Sequence, residues 1–247
     1  MGTQFARIVV MYKYYKYKVV KIIDESDSVK RFLIKVPDAI PFSFTPGTFV
    51  MLHLPIESKY PNRSYSIASP PSYDHTFELV ISINPKGLGT PYLFNNIKTG
   101  SILEVSDAIG KLRLPAILDT ELCFICTGTG IAPFRSMLLN IFNKHIPHKD
   151  ITLIFGNRYE KDILYRKDLD RLNHDMEGFS FIPVLSRDSP GWMGRKGYVH
   201  AIYEELFADK RPAIFYICGW TEMLQEARKR IEAMGYDKKN IRFEIYD

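Results

Sequence analysis

From about Tyr15 to Leu114 the chain alternates short β-type runs with turn residues: YKYKVVKII, RFLIKV, TFVMLHL, RSYSIA, TFELVISI and SILEVS, each bounded by Pro, Gly, Asn or Asp. Several short strands at this spacing predict an antiparallel barrel or sandwich, with one short helix near Pro91–Asn96. From about Leu122 the texture changes. LCFICT, ITLIFG, FSFIPVLS, AIFYICG and IRFEIY alternate with amphipathic helical stretches, the signature of a parallel, doubly wound sheet. In the clearest helix Phe134, Met137, Leu138, Ile141 and Phe142 form one apolar stripe, and Pro133 suits its first turn. Another runs from Thr221, as N-cap, through Met223, Leu224, Ala227, Ile231 and Met234 to Gly235, as C-cap. No internal repeat or low-complexity segment interrupts the pattern. The boundary is expected near Pro115–Thr120, giving a two-domain chain: an antiparallel β-barrel over residues 1–116 and an α/β doubly wound parallel sheet over 117–247.

A length of 247 residues suits two domains. No run of about 18 apolar residues is present to span a bilayer, and MGTQFARIVVMYKYYKYK lacks a signal peptide's apolar region and cleavage site. No membrane insertion is expected, and the cytoplasm is the expected compartment. The Met1-Gly2 start does not carry a myristoylation signal, because Ala6 stands where Ser or Thr is required. Three cysteines are too few for the four thiolates of an iron–sulfur cluster or for a disulfide framework. Electrons carried by this chain would need another cofactor. Cys123 and Cys126 form a CxxC, but on a buried strand positions i and i+3 face opposite ways, so they read as two core residues. A net charge of +5 without a dense basic block does not indicate nucleic-acid binding and suits an acidic protein partner. YKYYKYK reads as a strand with one wet face. No metal site is predicted.

The turn TGTGIAP, with Thr127, Gly128, Thr129, Gly130 and Pro133, lies between a buried strand and a helix, where backbone N–H groups can receive a pyrophosphate. Gly128 and Gly130 permit the tight turn and close approach, although Pro133 replaces the third glycine of the standard dinucleotide fingerprint. Where an NAD site would place an acidic residue on the second strand, this strand ends FGNR, delivering Arg158. The third ends in Ser186 and Arg187, and Arg195, Lys196 and Tyr198 follow in GRKGYV. These cations can converge on an adenosine 2′-phosphate at the sheet's carboxyl edge, or they are separate solvated charges.

Five segments in order, RSYS at 63–66, GLGTPYL at 87–93, GTGIAPFRS at 128–136, YICG at 216–219 and FEIY at 243–246, resemble the ferredoxin–NADP reductase family over nearly the whole chain. The resemblance implies FAD and NADP(H) as cofactors. Arg63 would clamp a flavin phosphate, Tyr65 pack on the isoalloxazine and Ser66 hydrogen-bond its reactive edge. Gly87, Leu88, Gly89 and Thr90 would bind the FAD pyrophosphate. Cys218 and Gly219 would lie beside the nicotinamide, with Glu244 and Tyr246 completing the transfer site, the tyrosine covering the flavin. The sequence departs from the family at DAIG, 107–110, and in the Asp247 that follows Tyr246. The function implied is a ferredoxin or flavodoxin–NADP+ reductase-like flavoenzyme, with ferredoxin or flavodoxin as partner. GWMGRKGYV also resembles NADH-dependent reductases of oxygenase or cytochrome systems, and a non-catalytic electron-relay subunit is a further alternative.

Overall fold

The computed structural model describes residues 12–59, 61–72 and 74–246. Met1, Gly2, Ala6 and Asp247 lie outside the described residues. Six strands form the first half: β1 (Tyr14–Ser26), β2 (Val29–Lys35), β3 (Phe49–His53), β4 (Asn62–Ser66), β5 (Thr76–Ser82) and β6 (Ile102–Ser106). Their order is β4-β3-β6-β1-β2-β5, every ladder antiparallel. Ile67 bridges Leu79, and the Ala68 N–H donates to the Glu78 carbonyl at 2.8 Å, so the chain after β4 meets β5 and the sheet closes. Period-two alternation fills the barrel with Tyr17 and Val19, Phe32 and Ile34, Val50 and Leu52, Phe77 and Leu79, and Leu103 and Val105. Each fully buried side chain of this size contributes roughly 1.5–3 kcal/mol.

The short helix α1 (Gly89–Asn96) starts two residues before the expected Pro91. The first turn of a helix has no internal acceptors for its N–H groups, so a proline at its third position interrupts nothing.

The second half holds β7 (Glu121–Thr127), β8 (Ile151–Asn157), β9 (Phe179–Leu185), β10 (Arg195–Lys196), β11 (Ala213–Trp220) and β12 (Ile241–Tyr246), in the order β10-β9-β8-β7-β11-β12 and wholly parallel. Helices α2 (Ile131–Asn143) and α3 (Arg166–Asp175) cover one face, and α4 (Val199–Leu206) and α5 (Thr221–Ala233) the other. The pattern does not foretell β10, which is two polar residues long. Cys123 joins the core under α4 and α5 and Cys126 the core under α2, so the CxxC splits across the sheet as the strand period requires.

The ends of α5 depart from expectation. Trp220, not Thr221, is the N-cap, because β11 runs directly into the helix; the Trp220 N–H donates to Thr127 Oγ1 at 3.3 Å. At the other end Met234 is the cap residue and Gly235 stands one beyond it at φ +101°. There the Gly235 N–H donates to the Glu232 carbonyl and the Tyr236 N–H to Ile231, the paired bonds of a Schellman motif. Val29, Ala68 and Val80 of the barrel pack into the core that α2 shares with β7, so apolar contact is continuous between the halves. Among the described residues, no helix is long and apolar enough to cross a membrane.

Candidate active site

On the barrel side, Arg63 and Tyr65 lie opposite Leu52 and Val50 in the β3–β4 ladder, while Ser64 and Ser66 alternate to the other face. Tyr65 packs on the barrel core, and burial pushes its phenol up to about 12, Arg63 acting the other way. Arg63 lies across the start of α1: a Cβ built on Gly89 would stand 3.0 Å from its Cγ and Nε. Glycine there lets the cation lie close against the positive end of the helix, a setting suited to phosphate. Two expected donors are already in use. The Thr90 hydroxyl donates to the Asn84 carbonyl at 3.3 Å while accepting from the Asn84 N–H at 2.8 Å, and the Gly87 N–H donates to the Asn84 carbonyl at 2.9 Å, so both close the loop before α1. Leu88 is the exposed N-cap residue, and the first-turn N–H groups of Gly89 and Thr90 have no intrahelical acceptor.

On the sheet side, β7 ends in a short 3-10 turn, Gly128–Gly130, leading into α2. Gly128 has φ +51° and open space where a Cβ would point, so its backbone faces outward. Gly130 is different. A Cβ there would overlap the Cys218 carbonyl, with the carbonyl carbon at 2.6 Å. Its missing side chain serves packing against the YICG turn. Gly219 answers from the other side at φ +132°, where a Cβ would lie 2.5 Å from Thr127 Oγ1. The two turns are thus back to back at the carboxyl ends of β7 and β11, the point where strand order reverses and where open α/β sheets bind ligands. Thr129 is half-buried in the turn, and Pro133 occupies the third position of α2.

Between the halves, Cys218 and Glu244 are register partners on β11 and β12, as are Trp220 and Tyr246. Ser66 reaches across from the barrel and its hydroxyl donates to Glu244 Oε1 at 2.5 Å. Burial raises the Glu244 pKa, partly opposed by that hydrogen bond. Burial likewise pushes the Cys218 thiol and the Tyr246 phenol well up, so both stay protonated. The Tyr246 hydroxyl is buried beside Ser66 and the Cys218 thiol, close to both but short of a well-formed hydrogen bond to either. Ser66, Cys218, Glu244 and Tyr246 thus come from three strands to one place.

At the outer end of the cleft the Ser186 N–H donates to the Asn157 carbonyl and the Arg187 N–H to the Arg158 carbonyl, setting the two arginines side by side. Among the described residues neither guanidinium has an ion-pair partner. Arg195 instead pairs with Glu205 at 2.6 Å, and Lys196 with Asp188 at 3.4 Å. Of the four cations, Arg158 and Arg187 thus stand uncommitted, while Arg195 and Lys196 hold exposed acidic partners. Tyr198 is exposed at the start of α4. The sites expected for the two cofactors thus offer a cation at a helix start, an outward glycine turn, a buried phenol and two uncommitted arginines, which fits a flavin with a dinucleotide. Sequence reasoning assigned nothing to Arg135 or Tyr165, which join the two halves. The available signal was an arginine directly beside the apolar stripe of α2.

Residues 16–114 match the Oxidoreductase FAD-binding domain family and residues 124–229 the Oxidoreductase NAD-binding domain family. Ferredoxin–NADP reductase B of Sorangium cellulosum is 30% identical over 94% of this chain and 98% of its own length. The glycine betaine monooxygenase reductase subunit of Pseudomonas aeruginosa is 29% identical over 93% of this chain, which spans 63% of that protein. A solved ferredoxin NADP+ reductase from Neisseria gonorrhoeae, with bound FAD and NADP, superposes with TM-score 0.78 at 23% identity, covering 95% of this chain and 99% of that one.

Proposed function

The chain belongs to the ferredoxin–NADP reductase family of flavin oxidoreductases, and on that premise we propose that it oxidises NADPH and passes single electrons to a small acidic protein such as ferredoxin or flavodoxin. The flavin half takes residues 1–116 and the nucleotide half 117–247. When bound, the flavin supplies the exchange between two-electron and one-electron chemistry that no side chain here provides. The chain binds and orients. Arg63 and the α1 N–H groups hold the flavin phosphates, and Tyr65 offers a flat apolar face. Glu244 accepts a hydrogen bond from Ser66 and so fixes the direction of the hydroxyl. Cys218 stays a neutral, compact wall, and Tyr246 excludes water until the nicotinamide displaces its ring.

The observation that carries the choice of NADPH is the adjacent, uncommitted pair Arg158 and Arg187 at the ends of β8 and β9, where an NAD site wants a carboxylate. A hydrogen bond to a charged group contributes roughly 1.5–3 kcal/mol, so two contacts supply about 3–6 kcal/mol. That corresponds to a preference of about a hundredfold to ten-thousandfold. Steady-state assays test it: wild type should favour NADPH in kcat/KM by such a factor, and Arg158→Ala with Arg187→Ala should bring the nucleotides near parity with flavin content intact. A wild type that uses NADH as efficiently overturns the assignment. In that event the better reading is an NADH-dependent reductase of an oxygenase or cytochrome system, which the existing partners of Arg195 and Lys196 favour.

A further inference from the structure

A network of charged side chains crosses between the barrel and the sheet, and the chemistry above does not use it. Glu78 on β5 is its centre. Its nearly buried carboxylate accepts from Arg31 Nε and Nη2 at 3.1 and 2.9 Å, from the Tyr165 hydroxyl at 2.6 Å and from Arg135 Nη1 at 3.4 Å. Arg135, on α2 five residues beyond Gly130, also donates to the Ala68 carbonyl at 2.8 Å and to Asp168 at 2.6 Å. Its neighbour Ser136 donates to the Ser69 carbonyl at 2.6 Å. The Tyr165 ring is flanked by both cations, with Arg31 Cζ 4.8 Å and Arg135 Cζ 4.1 Å from its centroid.

Tyr165 has φ +55°, a left-handed conformation that bulky side chains rarely adopt and that persists only where the surroundings enforce it. Both ends of this residue answer to the barrel. Its N–H donates to Glu25 Oε1 at 2.8 Å and its hydroxyl to Glu78. Tyr165 is the N-cap of α3 and closes the loop that opens at Arg158. Arg135 and Ser136 follow the nucleotide turn and grip Ala68 and Ser69, two and three residues beyond Ser66. The segment after the glycine turn is therefore fastened to the chain just beyond Ser66, and the loop after β8 to β5 and β1 of the barrel. Buried ion pairs are weak evidence of stability, because desolvation offsets their attraction. Their directional contacts instead specify geometry.

We propose that the Glu78–Tyr165–Arg135 network is a latch that sets the distance and angle between the flavin and nucleotide halves, with Tyr165 and Arg135 as positioning residues; this rests on the reading of the site given above. A displacement of about 1 Å remote from the chemistry can cost about a hundredfold in rate, so the latch acts on turnover rather than on binding.

Tyr165→Phe keeps the ring and removes the hydroxyl. In the holoenzyme, flavin content and the NADP+ dissociation constant should stay within about twofold of wild type, while flavin reduction at saturating NADPH slows about tenfold, within the range that misplacement produces. Small-angle scattering should show a larger maximum dimension. Glu78→Gln combined with Tyr165→Phe should slow reduction by less than the product of the single effects, since both break one contact. Arg135→Lys keeps the charge but loses the fork, and it should slow reduction less than Arg135→Ala; this pair carries the same test if Tyr165→Phe does not fold. Wild-type rate and scattering in Tyr165→Phe overturn the latch. So does a slower rate matched by equal loss of flavin or of nucleotide affinity, as an ordinary folding contact would give. If wild type reduces its flavin with neither nucleotide, the reading of the site fails, and the scattering comparison alone decides the latch.

Discussion

A carboxyl group buried against a hydroxyl and a thiol gives up its proton late, and Glu244 sits in that setting, its pKa raised by burial and only partly lowered by Ser66. Its folded pKa exceeds the unfolded value of 4.5, so between the two the folded state binds more protons. Stability therefore falls as pH rises through that window. Glu244→Gln, whose amide oxygen still accepts from Ser66, should gain in thermal midpoint over wild type as pH is raised from about 4 to about 8. An equal offset at every pH would assign the effect to packing. Arg63→Ala should weaken FAD by about ten- to a hundredfold, the loss of one charge-assisted contact of roughly 1.5–3 kcal/mol, read as a fall in visible absorbance per chain. Full flavin occupancy in that variant would refute the phosphate role. At this scale the facing of Cys123 and Cys126 was legible because strand alternation is local. The pairing of Arg195 with Glu205 was not, since nothing in GRKGYV points to a glutamate on the following helix.

The two glycines of the turn after β7 look alike in TGTG, yet their neighbours separate them. Gly130→Ala forces a Cβ onto the Cys218 carbonyl and must displace the turn from the end of β11. It should lower the unfolding free energy in urea by about 1–3 kcal/mol, the usual cost of overpacking, whether or not nucleotide is present. Gly128→Ala meets open space and only the strain of a positive φ, a cost of roughly 1 kcal/mol, and its larger effect should be on NADP+ binding. Equal stability losses in the two variants would contradict this division. The strands and main helices were readable from their periods. The start of α1, the cap of α5 and the strand β10 were not, because each depends on a partner in a distant segment: Thr127 holds Trp220, and β9 makes a strand of Arg195–Lys196.

Over the whole molecule, a net charge of +5 favours encounter with an acidic electron acceptor at low salt. The second-order rate of ferredoxin or flavodoxin reduction should drop as ionic strength passes about 0.15 M, where the Debye length is about 8 Å. A flat dependence would remove electrostatic steering. The architecture itself followed from texture, since six short strands with turn residues and five runs alternating with helices admit few arrangements. Closure of the barrel through Ile67 and Leu79 and the burial of α2 between the halves were beyond the pattern.

By itself the sequence determined the two halves, the strands and helices within them and the glycine turns, because periodicity and turn chemistry are written among near neighbours; the grouping around Glu244 came from the order of the family's motifs. Only the tertiary structure decided which cations remain uncommitted, that Gly130 answers to Cys218, and that Arg31, Glu78, Arg135 and Tyr165 form one network. Those contacts join segments far apart in the chain, where no period links the partners and where burial alone determines which charges must find one another.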